Sequence, residues 1–195
     1  MKKKILVLLT GTFLLAAGTF AQGLHVGFKG GVNIFKVDGK SFNDEFKFGY
    51  HLGAFAELNI NSTWGIQPEL LWSQTNYRTG NSFNAVYPNG VNDVKGKLNY
   101  LAIPVLLSYR PVKLLALQVG PQFGILLNQD KNLVNNTKDA FKKGDFSLLA
   151  GAQLNLLKFK GGVRYVIGLS DINDVENQNK WKNQGFQIYI GVRII

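Results

Sequence analysis

The chain has no cysteine. No disulfide is available to it, and a lipid anchor attached through cysteine is excluded. Histidine is nearly as scarce, with 2 in 195 residues. A metal centre wants several His, Cys or carboxylate ligands at fixed spacing, and neither His25 nor His51 has such company. The nucleophile elbow, the Walker loop, CxxC and HExxH are all missing, so no catalytic, cofactor-binding or metal motif is offered and none is expected. Beyond residue 21 there is also no apolar run long enough for a membrane helix, which takes about 20 residues. Any passage through a membrane must then be made by strands.

What is present begins with a leader. Lys2, Lys3 and Lys4 precede an apolar run from Ile5 to Ala17, and Thr19 and Ala21 set small residues before Gln22. This is the layout of a secretory signal peptide, so residues 1–21 are expected to be cleaved and 22–195 to form one domain. Loss of the three leading lysines lowers the formal net charge from +10 to +7. The remaining bases form no stripe and no basic helix, which argues against nucleic acid as a partner.

The rest of the chain alternates apolar and polar residues with a period of two, the mark of strands with one apolar face. Eight segments follow the pattern, near 24–35, 47–59, 65–77, 96–110, 115–129, 144–157, 159–171 and 185–195. Each is about 11 to 15 residues long, against roughly 5 or 6 in soluble sheets and roughly 9 to 11 for a tilted membrane strand. The connections alternate as well. Short turns lie near 60–64, 111–114 and 157–159, and long polar stretches near 36–46, 78–95, 130–143 and 172–184. Outer-membrane barrels have short periplasmic turns, long extracellular loops and an even number of antiparallel strands. An all-β, eight-stranded antiparallel transmembrane barrel is therefore expected, placed in the outer membrane with lipid around it.

Alternation alone does not say which face meets lipid. The glycines do. Gly27, Gly31, Gly49, Gly53, Gly65, Gly120, Gly124, Gly151, Gly162, Gly168 and Gly191 share the polar face, and only Gly30 and Gly161 clearly share the apolar one. An eight-stranded barrel is just wide enough inside for side chains, so the crowded face is where glycine is useful. The polar face is expected inside and the bulky apolar face outside, in lipid. Trp64, Trp72, Tyr77, Tyr109 and Trp181 are expected near strand ends, where aromatic girdles sit.

The inward face then carries charge. Lys29, Glu57, Glu69, Arg164 and Arg193 are expected to form a polar network in the lumen, with Glu57 and Glu69 as partners of Lys29, Arg164 or Arg193. Groups that cannot be solvated must pair, so a plugged, salt-bridged interior is the expectation. Two functional readings stand beside it: general acid–base chemistry by the carboxylates, and a narrow path for ions or solutes. Asp171, Asn173, Asp174 and Glu176 form an acidic group that departs from a calcium loop, with Val175 at a ligand position. Pro68, Pro104 and Pro121 fall inside strands, where each removes a ladder hydrogen bond. Bulges or locally broken pairing are expected there.

Several segments resemble the PorT-like outer-membrane β-barrel family. Gly27-Phe28-Lys29-Gly30-Gly31-Val32-Asn33 is similar to its first strand, and Ile66-Gln67-Pro68-Glu69-Leu70-Leu71-Trp72-Ser73-Gln74 to its third. Tyr100-Leu101-Ala102-Ile103-Pro104-Val105-Leu106-Leu107 resembles a motif that usually reads Tyr-Leu-Glu-Ile-Pro, so Ala102 removes an interior carboxylate. Arg164-Tyr165 with Gly168-Leu169-Ser170-Asp171-Ile172 is similar to the penultimate strand. The chain closes Gly191-Val192-Arg193-Ile194-Ile195, without the terminal aromatic typical of outer-membrane assembly signals. The resemblance implies the fold, tolerance of Pro68 and Pro104, and insertion by the barrel-assembly machinery. Its best-known member is tied to protein secretion.

A non-enzymatic structural or interaction barrel is the leading expectation, with a protein partner met through the extracellular loops, 78–95 above all. The alternatives are a narrow conduit or binding protein for small molecules, and a component of a protein-secretion complex. The membrane placement has a direct check: the protein should fractionate with outer membrane and migrate differently on gels before and after heating. Recovery in the soluble fraction with unchanged mobility sinks it.

Overall fold

The computed structural model describes residues 23–38, 46–78, 95–129, 144–170 and 182–195. Eight strands follow in chain order: β1 (Leu24–Asp38), β2 (Lys47–Asn59), β3 (Trp64–Arg78), β4 (Lys95–Val112), β5 (Leu115–Gln129), β6 (Gly144–Leu156), β7 (Phe159–Gly168) and β8 (Lys182–Arg193). Each pairs antiparallel with the next, and β8 returns to β1, so the sheet closes. Closure leaves no unpaired edge, the condition a sheet must meet in lipid. The leader at 1–21, the acidic group Asp171, Asn173, Asp174 and Glu176, Trp181 and most of the four long connections lie outside the described residues.

Local chemistry sets the short turns. Between β2 and β3, Asn61 Oδ1 accepts from the backbone N–H of Thr63 at 2.8 Å and of Trp64 at 2.7 Å, the side-chain mimic of a turn that asparagine makes well. Between β6 and β7 only Leu157 and Lys158 remain, and Leu157 sits at φ 57°. Two-residue hairpins need such a conformation because it matches the twist of the flanking strands.

The ladder is staggered. The row of facing residues that leaves β1 at Phe35 passes Gly185, Val166 and Leu149, then Leu106 and Gln67, and returns to β1 at His25 opposite Glu57. A ten-residue offset on one strand, from Phe35 to His25, closes the barrel, and stagger of this kind is what tilts the strands.

The pleat then sorts the side chains. Phe48, Tyr50 and Leu52 on β2, Leu117, Val119 and Phe123 on β5, and Phe186, Ile188 and Ile190 on β8 all point out and are exposed. Most of the glycines point in, some under a neighbour's ring and others, such as Gly53 and Gly120, against the backbone of the adjacent strand. The Phe55 ring lies over Gly27 and the Tyr189 ring over Gly162, where a Cβ would also stand 2.9 Å from the Ala152 carbonyl oxygen. Large and small residues alternate across facing positions because the lumen admits only one side chain at each place.

Two expectations need correcting. The inward face is not uniformly polar: Phe35, Phe55, Leu71, Leu98, Leu106, Leu149 and Val166 are buried there, and Phe35, Leu106, Leu149 and Val166 form one cluster. The narrow lumen is closely packed, and a close-packed interior accepts apolar groups as readily as paired polar ones. Trp72 is not near a strand end but at mid-strand, facing Leu52 and Leu101; Trp64 and Tyr109 do sit together at the turn end, with ring centroids 4.8 Å apart. At the prolines the second of the two expected outcomes holds, locally broken pairing without a bulge. Pairing skips Pro68 between Phe55↔Glu69 and Leu58↔Ile66, skips Pro104 between Pro68↔Val105 and Leu71↔Ala102, and skips Pro121 between Pro104↔Gln122 and Leu107↔Val119, each time resuming in the same register. The register shifts of β4 and β5 lie elsewhere, at Asn99/Tyr100 and Tyr109/Val112.

The outward assignment predicts a depth-dependent penalty for charge. Ile188, flanked by outward Val32 and Val163, lies near the middle of the apolar band, where an arginine costs about 2–4 kcal/mol. Ile188→Arg should therefore lower the unfolding free energy measured by urea titration from vesicles by that amount, seen as a lower midpoint. An unchanged midpoint contradicts a lipid-facing position.

Candidate functional site

Three of the buried luminal groups are charged and meet one another directly. β1, β3 and β7 direct Lys29, Glu69 and Arg164 inward by strand parity, and the stagger brings the three to one level. Glu69 Oε1 accepts from Lys29 Nζ at 2.9 Å and from Gln67 Nε2 at 2.7 Å, while Oε2 accepts from Arg164 Nη2 at 2.7 Å. Both side-chain oxygens are thus occupied, and the Glu69 side chain is 0% exposed. Tyr189 of β8 completes the group. Lys29 Nζ stands 3.4 Å from its ring centroid and Arg164 Cζ 4.8 Å from it, so the π-face supplies a second negative surface to the two cations. Its hydroxyl is 3.1 Å from Oε1 of both Gln118 and Gln153 and can donate to one at a time.

Polar layers extend the group in both directions. Toward the loop end, Asn33 Nδ2 donates to Ser73 Oγ at 2.9 Å, and Asn33 Oδ1 accepts from Gln187 Nε2 at 3.1 Å. His51 Nδ1 lies 2.8 Å from the same Asn33 oxygen, so this histidine is a buried hydrogen-bonding residue. Toward the turn end, Lys160 Nζ pairs with Glu57 Oε1 at 2.7 Å and donates to Asn155 Oδ1 at 3.0 Å. Arg110 Nη1 donates to Asn59 Oδ1 at 2.6 Å. The space left at this end is about 10 Å³, bounded by Glu57, Asn59, Ser108 and Arg110, room for about one water.

Four of the five sequence-named residues are thus in two ion groups. Lys29, Glu69 and Arg164 meet directly, whereas Glu57 belongs to a separate pair with Lys160. Arg193 joins neither. It faces Gly27 on β1, two residues beyond Gly191, and lies half-buried at the turn end. Lys160 was on the inward face by parity but gave no signal of its partner. Glu57 and Lys160 lie on opposite sides of the chain order, and only the closed ring joins them. Among the described residues no group of three His, Cys, Asp or Glu could hold a metal.

This geometry limits the chemistry. General acid–base work needs a carboxylate within reach of its substrate, and Glu69 reaches nothing beyond the side chains that hold it. A closed ring of long strands, apolar outside and paired polar inside, defines an integral membrane barrel of the eight-stranded kind.

The chain belongs to the outer membrane protein beta-barrel domain family, whose profile matches residues 20–174. The protein is accordingly an outer-membrane barrel. Solved structures share the fold. Ail of Yersinia pestis, the attachment invasion locus protein, was solved with the heparin analogue sucrose octasulfate; it is 14% identical, with 88% of this chain and 99% of that one covered, at a TM-score of 0.51. Neisserial surface protein A is 13% identical, covering 88% and 97%, at 0.50. OprG of Pseudomonas aeruginosa is 15% identical, covering 88% and 94%, at 0.48. No curated protein matches the chain by sequence.

Removing one partner of a buried ion group strands the others, at about 3–5 kcal/mol. Glu69→Leu should cost that much in vesicle-based urea unfolding. The triple change Lys29→Met, Glu69→Leu and Arg164→Met should recover most of it. Glu57→Leu, at the wetter rim, should cost less. Equal losses for Glu57→Leu and Glu69→Leu contradict the central role given to Glu69.

Proposed function

We propose that the protein is a non-enzymatic outer-membrane barrel whose lumen is a structural plug and whose outward connections meet a partner. The carrying observation is the centre of the barrel, where Lys29, Glu69, Arg164 and Tyr189 fill the cross-section with direct contacts. A conduit needs a continuous wet path, and the ion group stands across it. The task then falls to residues 39–46, 79–94, 130–143 and 169–181, the four connections on the outer side.

Charge narrows the partner. Those four connections hold six Lys, no Arg and eight Asp or Glu. The surplus of base in the chain lies in the lumen, at the strand ends and in the periplasmic turns. The sulfated sugar bound by the Yersinia protein is therefore not carried over, since a polyanion needs a basic surface. A protein partner with a neutral or mildly basic face fits better.

The same reading includes cleavage of the leader after Ala21, insertion by the barrel-assembly machinery, and a place among the PorT-like proteins, supported by the β3 and β4 motifs around Pro68 and Pro104. A role within a protein-secretion complex is met through the same outward connections.

Planar bilayers test the plug. The wild-type protein should give no discrete conductance steps, and Glu69→Ala with Arg164→Ala should give them. Discrete steps from wild type sink the proposal. Deletion of 80–93 should leave heat-modifiable mobility intact while abolishing capture of any partner that co-purifies with the full chain.

A further inference from the structure

The outward face is mostly bulky, with alanines such as Ala54 and Ala150 among the large residues, and two of its positions carry no side chain at all. Away from the strand ends, Gly30 and Gly161 are the outward glycines among the described residues, and both face the same residue. Ile190 of β8 pairs with Gly30 on one side and with Gly161 on the other. Leu52 faces Gly30 and Leu154 faces Gly161, so the row runs large, small, large, small, large. Ile190 is 76% exposed as a lone ridge. A Cβ at Gly161 would meet nothing within 4 Å.

The two notches open into one groove of about 550 Å³, lined by Phe28, Leu52, Leu156, Phe159, Ile190 and Val192. That volume lies in the range of about 300–1,000 Å³ typical of ligand clefts. The lining is apolar, and it faces lipid. Leu156 and Phe159 flank the β6–β7 turn, so the groove ends at the periplasmic rim, where Lys158 is exposed. The three periplasmic turns, residues 60–63, 113–114 and 157–158, hold Lys113 and Lys158 and no acidic residue.

We propose that this groove holds one anionic phospholipid of the periplasmic leaflet, its acyl chain in the notches beside Ile190 and its phosphate on Lys158. Apolar packing into a preformed notch recovers contacts that a bulky smooth face cannot give, and a lysine near a membrane surface favours an anionic head. The inference rests on the membrane placement and is independent of the plug and of the outward partner.

Native mass spectrometry of the full chain released from nanodiscs of mixed phosphatidylglycerol and phosphatidylethanolamine tests it. Wild type should retain one phosphatidylglycerol. Gly161→Phe, whose Cβ enters open space, should retain none; Gly161→Leu serves the same purpose should the larger ring disturb folding, which heat-modifiable mobility reports. Lys158→Gln should still bind lipid but lose the preference for phosphatidylglycerol. Equal retention in wild type and the Gly161 variants overturns the proposal. So does a lipid-free wild-type dimer that Gly161→Phe dissociates, because a second copy then occupies the groove.

Discussion

Glu69 accepts from Lys29 and Arg164 in a space that has no water to offer in exchange, and that condition governs the rest of the lumen. Eight strands enclose a channel only about one side chain wide. A charge placed there is held by another charge or costs several kcal/mol. Hence the stacked partners from Asn33 down to Arg110, and hence Tyr189, whose ring faces two cations at once. The same narrowness selects the glycines. Where Phe55 or Tyr189 crosses the lumen, the facing strand must present no side chain at all.

Closure in lipid imposes the second constraint, that backbone donors and acceptors be satisfied within the ring. The three prolines relax it without breaking it. Pro68, Pro104 and Pro121 stand on adjacent strands at nearly facing positions, so the gaps they leave adjoin in the β3–β5 sector. Pairing resumes in register on both sides because the flanking residues are committed to opposite faces, and a one-residue slip would turn Leu70 and Leu107 into the lumen. Register is thus held by the pleat rather than by the missing bonds.

Much of this was legible in the residues. Period-two alternation located all eight strands, and the breaks in it marked the short connections. Glycine on the polar face identified the inside, for a reason that is purely volumetric. The paired interior followed from the charges on that face. Less legible were the pairs themselves. Glu57 could be matched to Lys29, Arg164 or Arg193 on charge alone, and its partner is Lys160. Nor did alternation anticipate Leu71, Leu106 and Leu149 inside, since a close-packed lumen and a lipid exterior reward the same apolar side chain.

The sequence by itself determined the strands, the turns, the inward face and the need for that face to pair, because each depends on neighbours two to four residues away. The tertiary structure decided which charges meet, where the prolines interrupt the ladder, and that Gly30 and Gly161 flank one isoleucine. Those facts depend on the ten-residue stagger that joins β1 to β8. Stagger is a property of the closed ring, set by how all eight strands pack at once, and no single strand contains it.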